Sequence, residues 1–145
     1  MSKKWHQKTA ATVRDAIRAR EVSAAEVTQA YLGRIDEVDG KVQAYIDVWR
    51  DSALARAETI DIDLEAGKDR GPLAGVPVGL KDVLCTTEGT TGCCSKILKG
   101  FRSPFNATVV EKLLAAGVVP LGKNNMDEFA MGSSTEHSSR QITRN

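Results

Sequence analysis

The 145-residue sequence predicts an α/β fold in which a helix joins two parallel strands and further helices pack outside them. Two observations carry that expectation. Apolar runs at residues 76–83 and at Val118-Val119-Pro120-Leu121-Gly122 flank a helical pattern that stops at a glycine. A buried apolar strand at each end of a helix is the signature of parallel pairing, because strands running the same way need a crossover connection. The stretch before residue 70 carries three helical patterns and one short β-rich run. Those helices are expected to pack outside the strands.

In chain order, residues 12–20 form a helix with Val13, Ala16 and Ile17 on one face. Ser23-Ala24-Ala25-Glu26 reads as a capping box, in which the Ser23 hydroxyl accepts the N–H of Glu26 and the Glu26 carboxylate accepts that of Ser23. Val27, Ala30, Tyr31, Arg34, Ile35 and Val38 continue with a helical period, and Gly40 is expected to end this second helix. Residues 42–48 are a strand, partly alternating and rich in β-formers. Residues 52–67 are a third helix, with Ala53, Ala57, Ile60 and Leu64 inward and Arg56, Glu58, Asp61 and Lys68 outward. The glycines and prolines of Gly71-Pro72-Leu73-Ala74-Gly75-Val76-Pro77 mark a tight, fixed approach to the next strand. Residues 86–92 are a polar loop. Asn106 or Thr108 is expected to cap a helix bearing Val109, Val110, Leu113 and Leu114 that stops at Gly117.

Composition narrows the function classes. Hydrophobic residues make up 41% and charged residues 27%, which is ordinary for a globular domain. A net charge of +1 gives no long-range attraction to nucleic acid or to an anionic membrane. No run is long and apolar enough to cross a bilayer, and Met1-Ser2-Lys3-Lys4-Trp5-His6 leads into no apolar stretch, so no secretory signal is expected. The three cysteines, Cys85, Cys93 and Cys94, point to a reducing, cytoplasmic setting. Adjacent Cys93 and Cys94 lack zinc-ligand spacing, and His6 and His137 are remote in sequence, so no metal is expected and the cysteines read as small buried hydrophobes.

Lys81 follows the apolar run Val76-Pro77-Val78-Gly79-Leu80. A lysine buried there must find a partner or lose its proton, and a desolvated neutral lysine is a usable general base. The residues alone leave open a second reading, a strand-end lysine whose ammonium snorkels to water. Asp82 points to the opposite face along a strand and is a poor direct partner for Lys81. Gly122-Lys123-Asn124 lacks the upstream glycine and following Ser/Thr of a phosphate loop. Asp127-Glu128 could serve acid/base chemistry, but surface solvation is the reading the sequence favours.

Three blocks in order carry a resemblance: Gly71-Pro72-Leu73-Ala74-Gly75-Val76-Pro77-Val78-Gly79-Leu80-Lys81-Asp82, then Asn106-Ala107-Thr108-Val109-Val110-Glu111-Lys112-Leu113, then Leu121-Gly122-Lys123-Asn124-Asn125-Met126-Asp127-Glu128-Phe129-Ala130-Met131-Gly132-Ser133-Ser134-Thr135-Glu136. Together they resemble the amidase-signature enzymes over residues 13–145. The third block is similar to the A subunits of glutamyl-tRNA(Gln) amidotransferases. The resemblance implies the N-terminal part of a single amidase-signature domain over residues 1–145. In it, residues 1–70 are mainly helical and 71–145 begin an α/β core whose mixed sheet is flanked by helices and incomplete at the C-terminus.

The chemistry it implies is a Ser–cis-Ser–Lys triad. Lys81 is the general base, acting through a bridging serine, and a second serine attacks the amide of glutamine to release ammonia. The resemblance also implies that Met131, Gly132 and Ser133 belong to the wall of the glutamine pocket. The implied partners are the B and C subunits, glutamine and, through the complex, misacylated Glu-tRNA(Gln). ATP and Mg²⁺ are used by that complex, with no cofactor on this chain. The Gly/Ser-rich segment that bears both serines in the family lies beyond the matched residues, so residues 1–145 are expected to be inactive alone. The alternative is a non-catalytic module that is inert or only binds partner subunits. The loop Thr87-Glu88-Gly89-Thr90-Thr91-Gly92-Cys93-Cys94 and the stretch Ser138-Ser139-Arg140-Gln141 depart from the family pattern.

Overall fold

A computed structural model of the chain describes residues 4–144. The expected absence of a secretory signal rests partly on Met1, Ser2 and Lys3, and the resemblance extends to Asn145; these four lie outside the described residues. After a 3₁₀ turn at Trp5–Gln7 come α1 (Ala10–Arg18), α2 (Ala24–Val42), β1 (Tyr45–Val48), α3 (Arg50–Glu65), β2 (Pro77–Lys81), α4 (Thr108–Ala115) and β3 (Val119–Asn124). The sheet has the order β1-β3-β2. β2 and β3 are parallel, joined through α4, and β1 runs antiparallel to β3. The predicted parallel unit is therefore present, and the helical half of the chain contributes a strand that makes the sheet mixed.

Strand position decides which residues are buried. β3 is central, and Val119, Pro120, Leu121, Gly122 and Lys123 are all buried. β2 lies at an edge of the described sheet, and only Leu80 among its five residues is buried. Val119 and Leu121 pack with Val13 and Ile17 of α1, Val27 and Leu32 of α2, and Ala53, Ala57 and Ile60 of α3. A second cluster joins Trp49, Leu80 and Val110, with Leu113 and Leu114 of α4 against it. The β2–β3 register slips between Val78 and Gly79. Gly122 sits at φ 144° with its Cα so close to β1 that a Cβ would overlap the Asp47 carbonyl oxygen. Such a bulge re-aims the side chain that follows it. Val119 and Leu121 face the helical core, whereas Lys123 reaches the Trp49 ring of the second cluster.

The Ser23–Glu26 capping box forms as expected, at 3.0 and 2.9 Å. Several other expectations are corrected. α2 runs through Gly40 to Val42 and is closed by Gln43 at φ 58°. The stop comes from Asp39, whose carboxylate accepts the N–H of Ala44 at 2.8 Å and that of Tyr45. Neither Asn106 nor Thr108 caps α4. Ala107 holds the N-cap position, and Asn106 instead accepts the N–H of Thr87 at 2.8 Å and donates to Glu111 at 2.7 Å. Arg56 is half-buried and donates to the carbonyls of Val118 and Leu114, both at 2.7 Å, fastening α3 to the α4–β3 turn.

Asp61 does not point to water either. Its carboxylate accepts the N–H groups of Ala24 and Ala25 at 2.7 and 2.9 Å, satisfying two of the four orphan donors of α2 with a negative charge at the positive end of the helix dipole. Asp61→Ala is expected to lower stability by about 0.5–2 kcal/mol, the range for a lost N-cap. An unchanged urea midpoint would remove Asp61 from the forces that join α3 to α2.

Candidate functional site

Parallel strands end at the same edge of a sheet, and in open α/β folds ligands bind outside those carboxyl ends. Here Lys81 ends β2 and lies opposite Asn124, which ends β3. The segments leaving the two strands are laced together. Cys93 N–H bonds to the Asp82 carbonyl at 3.4 Å, Phe129 N–H to the Cys93 carbonyl at 3.1 Å, and Ser139 N–H to the Cys94 carbonyl at 2.9 Å. Residues 82–94 and 125–139 thus form one surface beside Lys81. Five non-glycine residues on it have positive φ: Cys93, Cys94, Phe129, Ala130 and Thr135. Such conformations cost about 1–3 kcal/mol each and persist where surrounding bonds over-determine them.

The residues leave two readings of Lys81, a desolvated amine or a strand-end ammonium in water. Its side chain is exposed, as the second requires and against the first, while Pro77, Val78 and Gly79 before it are half-buried. The physical reason is the edge position of β2, which leaves the end of the strand in solvent. Asp82 turns the other way, as strand alternation requires. It is 1% exposed, and its carboxylate accepts Gly92 N–H at 3.2 Å and Cys94 N–H at 2.8 Å.

The buried lysine is Lys123, which sequence reasoning weighed only as part of a weak phosphate-loop match. It lies inside β3, not in a loop, with no exposed surface. Its Nζ donates to the Leu84 carbonyl at 2.5 Å and to Thr91 Oγ1 at 3.2 Å, and stands 6.0 Å from the Trp49 ring centre. Burial pushes its pKa below the ordinary lysine value, and the negative charge of Asp82, the thiols Cys85 and Cys93, and Asp47 pull it back up. Lys123 and Asp82 therefore hold the two ends of the loop that follows Lys81. The signal available in the sequence was a lysine embedded in an apolar run that the structure makes the central strand.

Asp127 corrects the surface-solvation reading of Asp127-Glu128. It is 4% exposed, and its carboxylate accepts Ser134 N–H at 3.1 Å, Thr135 N–H at 2.9 Å and His137 N–H at 2.9 Å. The His137 and Thr135 N–H bonds hold its carboxyl below the usual carboxylate range, against a desolvation that acts the other way. Glu128 accepts from Ser95 Oγ at 2.5 Å. Met131, Gly132 and Ser133 lie on the exposed side of this turn, with Met131 73% exposed. Lys81 and these three residues therefore sit at one end of the sheet, connected through Asp82, Cys93 and Phe129.

Cys94 is buried, with its thiol 3.4 Å from Asn125 Oδ1, and Cys85 and Cys93 are half-buried; desolvation raises the pKa of Cys93 and Cys94. Asn125 also donates to the Gln141 carbonyl at 2.8 Å and to Thr143 Oγ1 at 3.0 Å, which pins the last described residues to the end of β3. No helix among the described residues is long and apolar enough to cross a membrane.

The chain is similar in sequence and fold to known proteins. The model of the family described as Amidase matches residues 26–145. The glutamyl-tRNA(Gln) amidotransferase A subunit of Nocardia farcinica is 55% identical over 139 residues, covering 95% of this chain and 28% of that protein. Among solved structures, the peptide amidase of Stenotrophomonas maltophilia superposes with a TM-score of 0.86 at 33% identity, covering 97% of this chain and 30% of its own. The glutamyl-tRNA(Gln) amidotransferase A subunit of Thermotoga maritima superposes with a TM-score of 0.78 at 33% identity, over 100% of this chain and 28% of its own. The chain thus spans 28% of the length of the curated relative it matches.

Proposed function

The chain belongs to the amidase family, and we propose that it forms the N-terminal part of the A subunit of a glutamyl-tRNA(Gln) amidotransferase and supplies the general base of its glutaminase. What supports this reading is Lys81 at the carboxyl end of β2, beside segments 82–94 and 125–139 that are hydrogen-bonded to each other, within a chain 55% identical to one such subunit.

In the proposed reaction a serine of the following Gly/Ser-rich segment attacks the amide carbon of glutamine. Its proton passes through the bridging serine to the neutral amine of Lys81. Collapse of the tetrahedral adduct breaks the C–N bond, and Lys81 returns the proton to the departing nitrogen, which leaves as ammonia. Water then hydrolyses the glutamyl ester to glutamate. Met131, Gly132 and Ser133 line the side of the pocket that holds glutamine. Asp82 and Lys123 act on Lys81 indirectly, by fixing the loop through which the chain leaves β2.

The same reading assigns the ammonia to transamidation of Glu-tRNA(Gln) in a cytoplasmic complex with B and C subunits, at the expense of ATP with Mg²⁺. No residue of this chain is assigned to the nucleotide. With a net charge of +1, the chain relies on its partners for attraction to tRNA.

The test uses a complete A subunit carrying these residues, together with B and C subunits, Glu-tRNA(Gln), ATP and glutamine isotope-labelled at its amide. The expected result is label in the product Gln-tRNA(Gln). Residues 1–145 alone are expected to release no ammonia from glutamine above a Lys81→Ala control. Absence of label transfer by the assembled complex contradicts the proposal, and so does glutaminase activity of residues 1–145 by themselves.

A further inference from the structure

We infer that Asp127 is the positioning residue that sets the 131–133 turn against bound glutamine and so governs glutamine affinity; the inference rests on the functional reading above. Asp127 stands three residues beyond the end of β3, after Asn125 and Met126, which are themselves buried. It is thereby attached to the central strand of the sheet. Its two carboxylate oxygens divide the turn between them. Oδ2 accepts Ser134 and Thr135 N–H, and Oδ1 accepts His137 N–H. Bonds from backbone N–H to an ionised carboxylate are among the stronger hydrogen bonds in proteins.

The turn is also closed at its base, where Glu128 N–H meets the His137 carbonyl at 3.3 Å, and held from outside by Thr143 N–H on Thr135 Oγ1 at 2.8 Å. Within this frame Thr135 is kept at φ 63°, and Phe129 and Ala130 at φ 53° and 61°. Gly132 lies directly on the carboxylate: a Cβ there would be 2.5 Å from Asp127 Cγ. Any side chain at 132 displaces either the turn or the aspartate.

The chemistry of the centre selects aspartate. Three converging N–H donors need a group that only accepts. Asparagine keeps the shape but turns an NH₂ donor toward one of those N–H groups, which leaves a part-buried donor without its acceptor. The outward residues of the turn, Met131, Gly132 and Ser133, are exposed, so their placement depends on this inner anchor and not on packing of their own side chains.

The experiment compares wild type with Asp127→Asn and, separately, Gly132→Ala, in the complete A subunit within its full complex. Two quantities are measured, hydrogen exchange over residues 133–138 and steady-state glutaminase kinetics. Amide exchange in that segment is expected to rise roughly tenfold or more, as loss of a charged acceptor implies. The KM for glutamine is expected to rise by roughly tenfold while kcat stays within about threefold, the signature of lost ground-state binding. Gly132→Ala presses on the same contact without changing charge. It is expected to move both quantities the same way; because Gly132 itself lines the proposed pocket, its exchange over residues 133–138, not its KM, supplies the test of the anchor if Asp127→Asn does not fold. Unchanged exchange in both variants overturns the anchoring role of Asp127. Faster exchange with unchanged KM overturns the placement of the turn at glutamine, whereas label transfer by the wild-type complex tests the functional reading separately. A fall in kcat at constant KM in both variants also contradicts the inference.

Discussion

Replacing Lys81 by arginine in the complete A subunit is expected to abolish glutamine hydrolysis as fully as replacing it by alanine. A general base contributes roughly 10²–10⁴-fold to rate, so each variant is expected to fall at least that far. The reason is protonation, not size. The group that takes the serine proton must be neutral when attack occurs, and guanidinium does not give up its proton in proteins. Were Lys81 a strand-end cation held for charge or solubility, arginine would restore function. An ordinary lysine, with a pKa near ~10.4, is protonated at neutral pH. Because Lys81 is exposed at the end of an edge strand, the proposed base role requires that its desolvation come from residues outside this chain. The apolar run before it does not supply it. Glutaminase rates of both variants, at matched folding, decide the matter, and near-wild-type activity of the arginine variant contradicts the assignment.

The second large effect is expected at Lys123. Lys123→Ala opens a cavity under Trp49, leaves the Leu84 carbonyl and Thr91 hydroxyl without their donor, and strips Asp82 of its nearby positive charge. Leaving buried polar partners unsatisfied costs about 1–3 kcal/mol, a large fraction of the stability of a small domain. The sign of the pH effect follows from the lowered pKa. With its folded value below the ordinary lysine value, Lys123 sheds its proton earlier in the folded than in the unfolded chain. In that window the unfolded state binds more protons, so stability rises with pH up to the ordinary lysine value. Lys123→Ala lacks that rise. Urea unfolding of the 145-residue chain across the alkaline range measures both effects, and an unchanged midpoint with an unchanged pH dependence would show that Lys123 holds nothing.

The elements readable from the sequence are those whose causes are local. The Ser23–Glu26 box marks the start of α2 because both partners lie within one turn. The Val118–Leu121 run and the glycine before it announce β3 and the end of α4. What could not be read depends on which strand ends up in the middle. Two apolar runs of similar length look alike, yet the pairing of β1 onto β3 makes β3 central and leaves β2 at an edge. The burial expected at Lys81 therefore falls on Lys123. Acceptors that serve distant donors are equally silent. Asp61 caps a helix that begins 37 residues earlier in the chain, and its helical period alone places it outward. Asp127 follows the same logic at shorter range. The available hint was an acidic residue followed by Gly132, Ser133 and Ser134, a composition that wraps backbone N–H groups around a carboxylate. Gly40 misled because an exposed glycine fits a helix interior at modest cost, and the stop belongs to Asp39 and Gln43.

A crystal structure of the complete A subunit with glutamine bound decides whether Lys81 and the turn held by Asp127 face one glutamine site. The expected result is the Lys81 Nζ within hydrogen-bond reach of a serine hydroxyl, roughly 2.6–3.2 Å. Residues 131–133 are expected in contact with the glutamine, with Asp127 still accepting the N–H groups of Ser134, Thr135 and His137. Glutamine bound elsewhere, or Lys81 directed into solvent with no serine in reach, would show that the two do not share a site.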